Sequence, residues 1–313
     1  MGCGLAVGIV GLPNVGKSTL FNALLKKQVA FVANYPFATI EPNVGVVAVP
    51  DERLEKLTAI YQAPIVPASV SFIDIAGLIG GAHKGEGLGN KFLAHIREVD
   101  AIVHVVRAFT DKDIVKKGST DPKSDFETIK IELDLADLDH PTAIPLAKKP
   151  FLVALNCDDQ DLKKSADLEA KFALELEIDK DLVIAISAKV EAELAEFEEE
   201  ERKAYLKELG VYQSGLERLI VRAFRLLDLR TFLTAGVKEV RAWTIRSGDT
   251  ALVASGVIHT DFMDKFIKAE VVDFEDFIAV GGWKKARELG KVKLEGRDYV
   301  MQEGDVVEFK IGS

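Results

Sequence analysis

Cysteine is scarce in this chain: only Cys3 and Cys157 occur among its 313 residues. Two thiols cannot build a disulfide framework, so a reducing compartment is the simplest setting. Long apolar runs are missing too. No stretch approaches the roughly 20 residues that a membrane helix needs, and the start, Met1-Gly2-Cys3-Gly4, has no basic region of the kind that opens a signal peptide. A cytoplasmic protein with no membrane partner is the expectation. Nor is there an excess of positive charge. Lys and Arg number 40 against 50 Asp and Glu, for a formal net charge of −10, which excludes indiscriminate adhesion to nucleic acid as the main activity. The acid is densest between Glu191 and Glu201, where it reads as a solvated helix face.

What is present is a globular composition, 48% hydrophobic and 29% charged, on a length that suggests two domains. Strand-like runs at about 5–10, 44–49, 69–74, 101–106, 150–155 and 182–186 alternate mainly with helical segments, including Asp51 to Tyr61 and Asn90 to Val99. That alternation predicts a mostly parallel sheet flanked by helices, with ligands outside the carboxyl ends of the strands. After about Leu229 the pattern shifts. Strands are expected at Lys238 to Ile245, Ala251 to Val257, Phe266 to Val272, Lys291 to Leu294 and Val306 to Ile311, with helices from Phe274 to Val280 and near Trp283 to Leu289. Such a mixture suits a small β-grasp module.

The first strand leads into Gly11-Leu-Pro-Asn14-Val15-Gly16-Lys17-Ser18-Thr19 and then a helical run. A glycine-bounded turn between strand and helix aims backbone N–H groups inward, with the positive end of the helix beneath them, and so cradles phosphates. Lys17 is placed to reach the β- and γ-phosphates, and the Ser18 hydroxyl to ligate Mg²⁺. Downstream, Thr39 lies about twenty residues past that lysine, where a nucleotide switch sets a second Mg²⁺ ligand. The strand Val70 to Asp74 ends in D-x-x-G, so Asp74 is expected to hold Mg²⁺ through water and the Gly77 N–H to meet a γ-phosphate. The glycine-rich stretch from Gly77 to Gly89 suits a segment ordered by that phosphate. Leu78 occupies the place where Ras-like switches carry a water-orienting glutamine. Intrinsic hydrolysis should therefore be slow or assisted, and His83 is the candidate assisting group. His95 and His104 fall in a helix and an apolar strand and read as structural.

Two more strand ends belong to the base. Asn156-Cys157-Asp158-Asp159 keeps the spacing of the guanine-reading N-K-x-D, with Cys157 in place of the lysine that would lie along the base. Ser187-Ala188-Lys189 can cover the other face. An aspartate at position 159 can accept the two N–H groups of guanine's edge.

The runs Asn34 to Val47, Val49 to Leu54, Asp74 to Asn90 and, near the C-terminus, Thr231 to Trp243 and Gly296 to Asp305 resemble the YchF/Obg-like ATPase family, within the Obg branch of translation-factor GTPases. The resemblance covers nearly the whole chain. It implies an α/β fold, a P-loop NTPase of the Ras-like G-domain type over residues 1–230, with a TGS-like β-grasp domain over 231–313. It also implies a Mg²⁺-dependent nucleoside-triphosphate hydrolase that acts as a ribosome-associated switch, with ATP favoured and GTP also bound. The ribosome or a subunit is the expected partner, with rRNA or a ribosomal protein met through the C-terminal domain. By motif match, Asn14, Val15, Gly16, Lys17, Ser18 and Thr19 form the phosphate site, and Ser18 and Thr39 the Mg²⁺ site. The chain departs from the family pattern in three places. Asp159 stands where relatives have glutamate. Lys116-Lys117 replace a histidine that relatives carry. The long helical arm of relatives is reduced to a linker near 139–150, where three prolines prevent a continuous helix. A nucleotide-gated binding module, or a GTP-preferring protein with negligible intrinsic hydrolysis, is the alternative reading.

Overall fold

The computed structural model describes residues 5–34, 43–75, 88–110, 121–139 and 144–312. In chain order its first elements are β1 (Ala6–Gly11), α1 (Lys17–Asn34), β2 (Val44–Ala48), α2 (Glu52–Tyr61), β3 (Ile65–Val66), β4 (Ser69–Asp74), α3 (Leu88–Glu98), β5 (Ala101–Arg107) and α4 (Pro122–Asp139). There follow β6 (Phe151–Asn156), α5 (Ser165–Leu176), β7 (Val183–Ile186), α6 (Ala188–Leu194), α7 (Glu199–Glu208) and α8 (Gly215–Leu226). The last stretch holds β8 (Leu229–Ala235), β9 (Val240–Arg246), α9 (Ala251–Ile258), α10 (Asp261–Asp264), β10 (Phe266–Val272), α11 (Phe274–Val280), α12 (Trp283–Glu288), β11 (Lys293–Glu295) and β12 (Val306–Ile311).

The chain divides into two compact units. One, Leu5–Val47 with Val70–Leu227, is built on a six-stranded sheet in the order β2-β4-β1-β5-β6-β7. Its strands pair in parallel from β4 through β7. Parallel strands covered by helices are buried on both faces and so need apolar residues at every position rather than at alternate ones. β5, Ala101 to Arg107, is buried throughout and meets this demand. Because the strands are parallel, Gly11, Asp74, Arg107, Asn156 and Ile186 all fall at one edge of the sheet. One buried histidine interrupts the apolar interior: His104 on β5 lies edge-on to Phe126 at 5.0 Å and Phe151 at 5.7 Å, and its Nδ1 has no hydrogen-bond partner among the described residues.

The other unit joins Ala48–Ser69 to Asp228–Ser313. Its sheet runs β11-β10-β12-β8-β9-β3. β8 and β9 form an antiparallel hairpin, β10 pairs antiparallel with β12, and β3 adds in parallel beside β9. Residues 48–69 were expected within the nucleotide-binding half, but they pack here. Leu54 and Leu57 of α2 are buried, and the Val240 N–H donates to the Pro64 carbonyl. Asp51 caps α2 by accepting from the Arg53 N–H, and the Arg53 guanidinium reaches Asp51, Thr231 and Glu303 at 2.7–2.8 Å.

A second expectation fails. Ala251 to Val257 is not a strand but helix α9. Eight nearly continuous apolar residues carry no period, so length and β-branching alone cannot decide the matter. The deciding feature is the spacing of Ala251, Ala254 and Ser255, all fully buried, which lets a helix lie close on Phe232, Ile245 and Val271. The sequence pattern predicts no strand at β8. In the 139–150 region α4 ends at Asp139, and the part from 140 to 143 lies outside the described residues.

Candidate functional site

The turn between β1 and α1 is shaped by two left-handed residues, Asn14 (φ 66°) and Gly16 (φ 92°). Alternation of this kind turns successive N–H groups toward one centre and makes an anion-binding concavity. Only glycine fits at position 16, because an added Cβ would overlap the Asn156 side chain. Lys17, Ser18 and Thr19 then form the first turn of α1, which contains no acidic residue to oppose an anion. Ser18 and Thr19 are exposed, while Val15 is buried beneath the turn.

Asn156, at the end of β6 and buried, holds the site together. Its Nδ2 donates to the Val15 carbonyl at 2.8 Å, and its Oδ1 accepts from the Ala188 N–H at 2.9 Å. One amide thus ties the phosphate turn to the loop that starts α6. Asp159 is fixed from the same loop: its carboxylate accepts from Ser187 Oγ at 2.8 Å and from Lys189 Nζ at 3.1 Å. Ser187 also caps α6 by accepting from the Val190 N–H. Lys17 is ion-paired with Asp74 at the end of β4, and both are largely buried. The lysine that would meet phosphates is thus neutralised by the carboxylate expected beside Mg²⁺.

Cys157 requires a correction. It was expected beside the base, but its side chain is 3% exposed and packs with Leu162, Ala185, Val190, Leu194 and Leu206. Burial pushes its thiol up to about 12, aided by the nearby Asp161, Asp158 and Asp159. The backbone explains the placement: the Cys157 N–H extends the β6–β7 ladder by donating to the Ile186 carbonyl, so its side chain turns into the core.

Asp158 was missed, because nothing in the motif marks its variable position. Its carboxylate accepts from both the N–H and the hydroxyl of Thr110, at 3.0 and 2.8 Å, and pins the segment after β5 to the loop after β6. At that end of β5 the Arg107 guanidinium stacks over Phe109 at 4.5 Å. Thr39, Gly77, Leu78, His83 and the Lys116-Lys117 pair lie outside the described residues. No cluster of three or more His, Cys, Asp or Glu side chains suited to a metal occurs among the described residues.

A parallel sheet whose first strand feeds a left-handed turn, a lysine and a helix, with an asparagine bridging that turn to a second loop, defines a P-loop nucleotide-binding domain of the Ras-like G-domain class. Residues 6–156 match a family described as 50S ribosome-binding GTPase, and residues 229–312 match one described as YchF-GTPase_C, a protein of unknown function. The chain is 45% identical to the ribosome-binding ATPase YchF of Haemophilus ducreyi and 44% identical to that of Bacillus subtilis, in each case over 98% of this chain and 99% of the relative. The structure of the Schizosaccharomyces pombe YchF GTPase superposes with a TM-score of 0.84 at 34% identity, covering 99% of this chain and 98% of that one. The chain belongs to the YchF family. Its alignment with the H. ducreyi relative spans 372 positions against 313 residues here, so that relative carries residues with no counterpart in this chain.

Proposed function

We propose that this chain is a Mg²⁺-dependent nucleoside-triphosphate hydrolase that works in the cytoplasm as a ribosome-associated switch, favouring ATP and also binding GTP. The observation that carries the reading is the double hydrogen bond of Asn156. It joins a phosphate cradle to a base-side loop, two half-sites that a nucleotide would span. The relatives named above, called ribosome-binding ATPases, support the substrate and the partner.

In this reading Asn14 to Thr19 surround the phosphates, and Lys17 exchanges Asp74 for the β- and γ-phosphate oxygens. Ser18 is exposed on the first turn of α1 and Asp74 ends the neighbouring β4. A hydroxyl and a carboxylate are hard oxygen donors that suit Mg²⁺. Ser18 and Thr39 would hold the ion directly and Asp74 through water, and the ion would supply charge neutralisation at the phosphate oxygens. Gly77 would contact the γ-phosphate, and His83 would assist the attacking water. Asp159, Ser187 and Ala188 would face the base. The unit containing residues 231–313, a TGS-like β-grasp in this reading, would meet the ribosome.

A second reading draws on Asp159. Its two oxygens are held by Ser187 and Lys189, in the manner of a carboxylate set to accept from guanine. A GTP-preferring, nucleotide-gated binding module follows if hydrolysis is incidental. Competition of ATP against GTP with Mg²⁺, followed by single-turnover hydrolysis with and without ribosomes, separates the two. ATP outcompeting GTP and acceleration by ribosomes support the first. GTP preference, with a rate that ribosomes leave unchanged while nucleotide alters ribosome binding, selects the second.

A further inference from the structure

One concavity is lined entirely by residues of the unit formed by 48–69 and 228–312. Its volume is about 860 Å³, within the span of about 300–1,000 Å³ typical of ligand pockets. The β8–β9 turn forms one wall, with Gly236, Val237 and Lys238, and α2 and α12 form others through Tyr61 and Trp283. This turn is part of the Thr231–Trp243 run that helped carry the family resemblance, and nothing in nucleotide chemistry uses it. Trp283 is fixed on both sides: its ring N–H donates to the Ala235 carbonyl at 3.1 Å, and its backbone N–H to the Tyr61 hydroxyl at 3.2 Å. Gly282, at φ 108°, lets the chain pass the Tyr61 hydroxyl, which an added Cβ would meet at 2.9 Å.

Charge at the rim is unbalanced. Glu239 is paired with Arg241 at 3.7 Å, and Glu308 with Arg287 and Lys310. Lys238 and Lys284 have no carboxylate partner among the described residues. The rim therefore presents two open cations around a largely apolar floor. That pattern suits an anionic occupant with apolar groups to bury.

The rings decide which kind. Single-stranded nucleic acid is held by aromatic faces on which bases stack. Here each lining ring already has an aromatic or cationic neighbour within the protein. Tyr61 stacks on Phe277 at 6.4 Å, and Trp283 has Phe277 against it at 5.1 Å and the Arg287 guanidinium over it at 5.2 Å. Phe309 contacts Phe232 and Phe266 at 5.8 and 6.0 Å, and Phe262 contacts His259 at 6.0 Å. Ile60 and Ile258, both half-buried, add aliphatic surface to the lining. Such a floor accepts leucine or phenylalanine side chains rather than bases.

From this geometry we infer that the pocket between the β8–β9 turn and α12 docks an acidic polypeptide segment, burying its apolar side chains on the floor and setting its carboxylates against Lys238 and Lys284. The proposal draws on the ribosome reading only for the source of that segment, not for its chemistry.

Two measurements on the full chain test it. In the first, a labelled, end-capped peptide of glutamates flanking a Leu-Phe pair is titrated by fluorescence anisotropy. Controls are the same peptide with lysines for glutamates, and an oligouridylate. Lys238→Glu combined with Lys284→Glu should weaken the acidic peptide about tenfold, and salt should do likewise, while nucleotide affinity stays the same. In the second, a photo-crosslinker replaces Val237, which is 84% exposed at the mouth, and is irradiated with purified ribosomes. A protease-sensitive adduct mapping to an acidic segment supports the proposal. No binding of the acidic peptide, equal binding of the lysine peptide, insensitivity to the double charge reversal or a ribonuclease-sensitive adduct overturns it. If ribosomes do not bind the chain at all, the ribosomal reading falls and the peptide titration alone decides this proposal.

Discussion

Asn156 shows how much a single side chain can organise. Truncation to alanine removes two hydrogen bonds and strands the Ala188 N–H and the Val15 carbonyl in a buried setting, at a cost of about 2 kcal/mol. Asn156→Ala should therefore lower the melting temperature by several degrees and weaken nucleotide binding further, because both half-sites lose their tie. Equal affinities in the two proteins, measured by titration, would remove Asn156 from the site. Cys157 supports a different prediction. A buried thiol held near 12 presents almost no thiolate, so maleimide should leave Cys157 unmodified in the native protein and label it only after denaturation. Rapid labelling of the native chain at Cys157 would contradict the packing. That the turn at Asn14 to Thr19, Asn156, Asp159 and Ser187 come together could be anticipated from the sequence, because fixed spacings at neighbouring strand ends bring fixed atoms together. The direction of the Cys157 side chain could not, since it depends on the register of β6 against β7. His104 is also set by packing. Burial lowers its pKa to about 3, with the nearby Lys130 adding to the effect, whereas an unfolded histidine titrates at about 6.5. The unfolded chain thus binds the proton first. The stability that neutral His104 contributes is complete above about pH 6.5 and is lost progressively as pH falls from there toward 3. His104→Leu should flatten the decline in melting temperature between about pH 7 and about pH 5, and identical slopes would rule the histidine out as a cause.

Among the elements, continuous apolar strands closed by polar motifs were readable. The five strands that supply the nucleotide-side edge fall within about a residue of expectation, because a parallel sheet imposes burial at every position. α9 was not readable, as small residues let an apolar run fold either way until a partner sheet is present. α2 was foreseen as a helix, but its packing partners were not, because they are more than 170 residues away in the chain. Its attachment can be tested. Arg53 is hydrogen-bonded to Asp51 and Thr231 and paired with Glu303, and its pKa is raised by these carboxylates against the opposing effect of burial. Arg53→Met keeps the aliphatic stem and removes the charge, taking the guanidinium from Asp51 and Glu303, which keep only their bonds from the residue 53 N–H and from Thr231. The expected loss is about 2 kcal/mol, read as a lower denaturation midpoint with an unchanged slope, and nucleotide affinity should stay the same. A variant as stable as the parent would show that the network contributes nothing net.

For the molecule as a whole, the consequence is that the chain leaves the nucleotide-binding unit at 48 and returns at 70 before leaving again at 228. The two strands flanking this excursion are β2, which follows the segment containing Thr39, and β4, which ends in Asp74. A boundary drawn at residue 230 looks natural in the sequence because composition and element pattern change there, but it cuts the second unit in two. A fragment of residues 1–230 would keep α2 and β3 while losing β8–β12. Leu54 and Leu57, which are 2% and 0% exposed in the full chain, would be uncovered, along with the edge of β3 that pairs with β9. Uncovered apolar faces and open strand edges promote association. The 1–230 fragment should therefore aggregate. A fragment in which residues 49–68 are replaced by a short Gly-Ser linker should stay monodisperse and still bind nucleotide. Hydrogen exchange on the intact chain offers an independent check: amides of α2 should exchange with the protection of β8 and β9, not with that of β1. If the 1–230 fragment proves monomeric, with α2 as protected as in the parent, then α2 draws its stability from the nucleotide-binding unit, and the division at 48 and 69 does not describe how the protein folds.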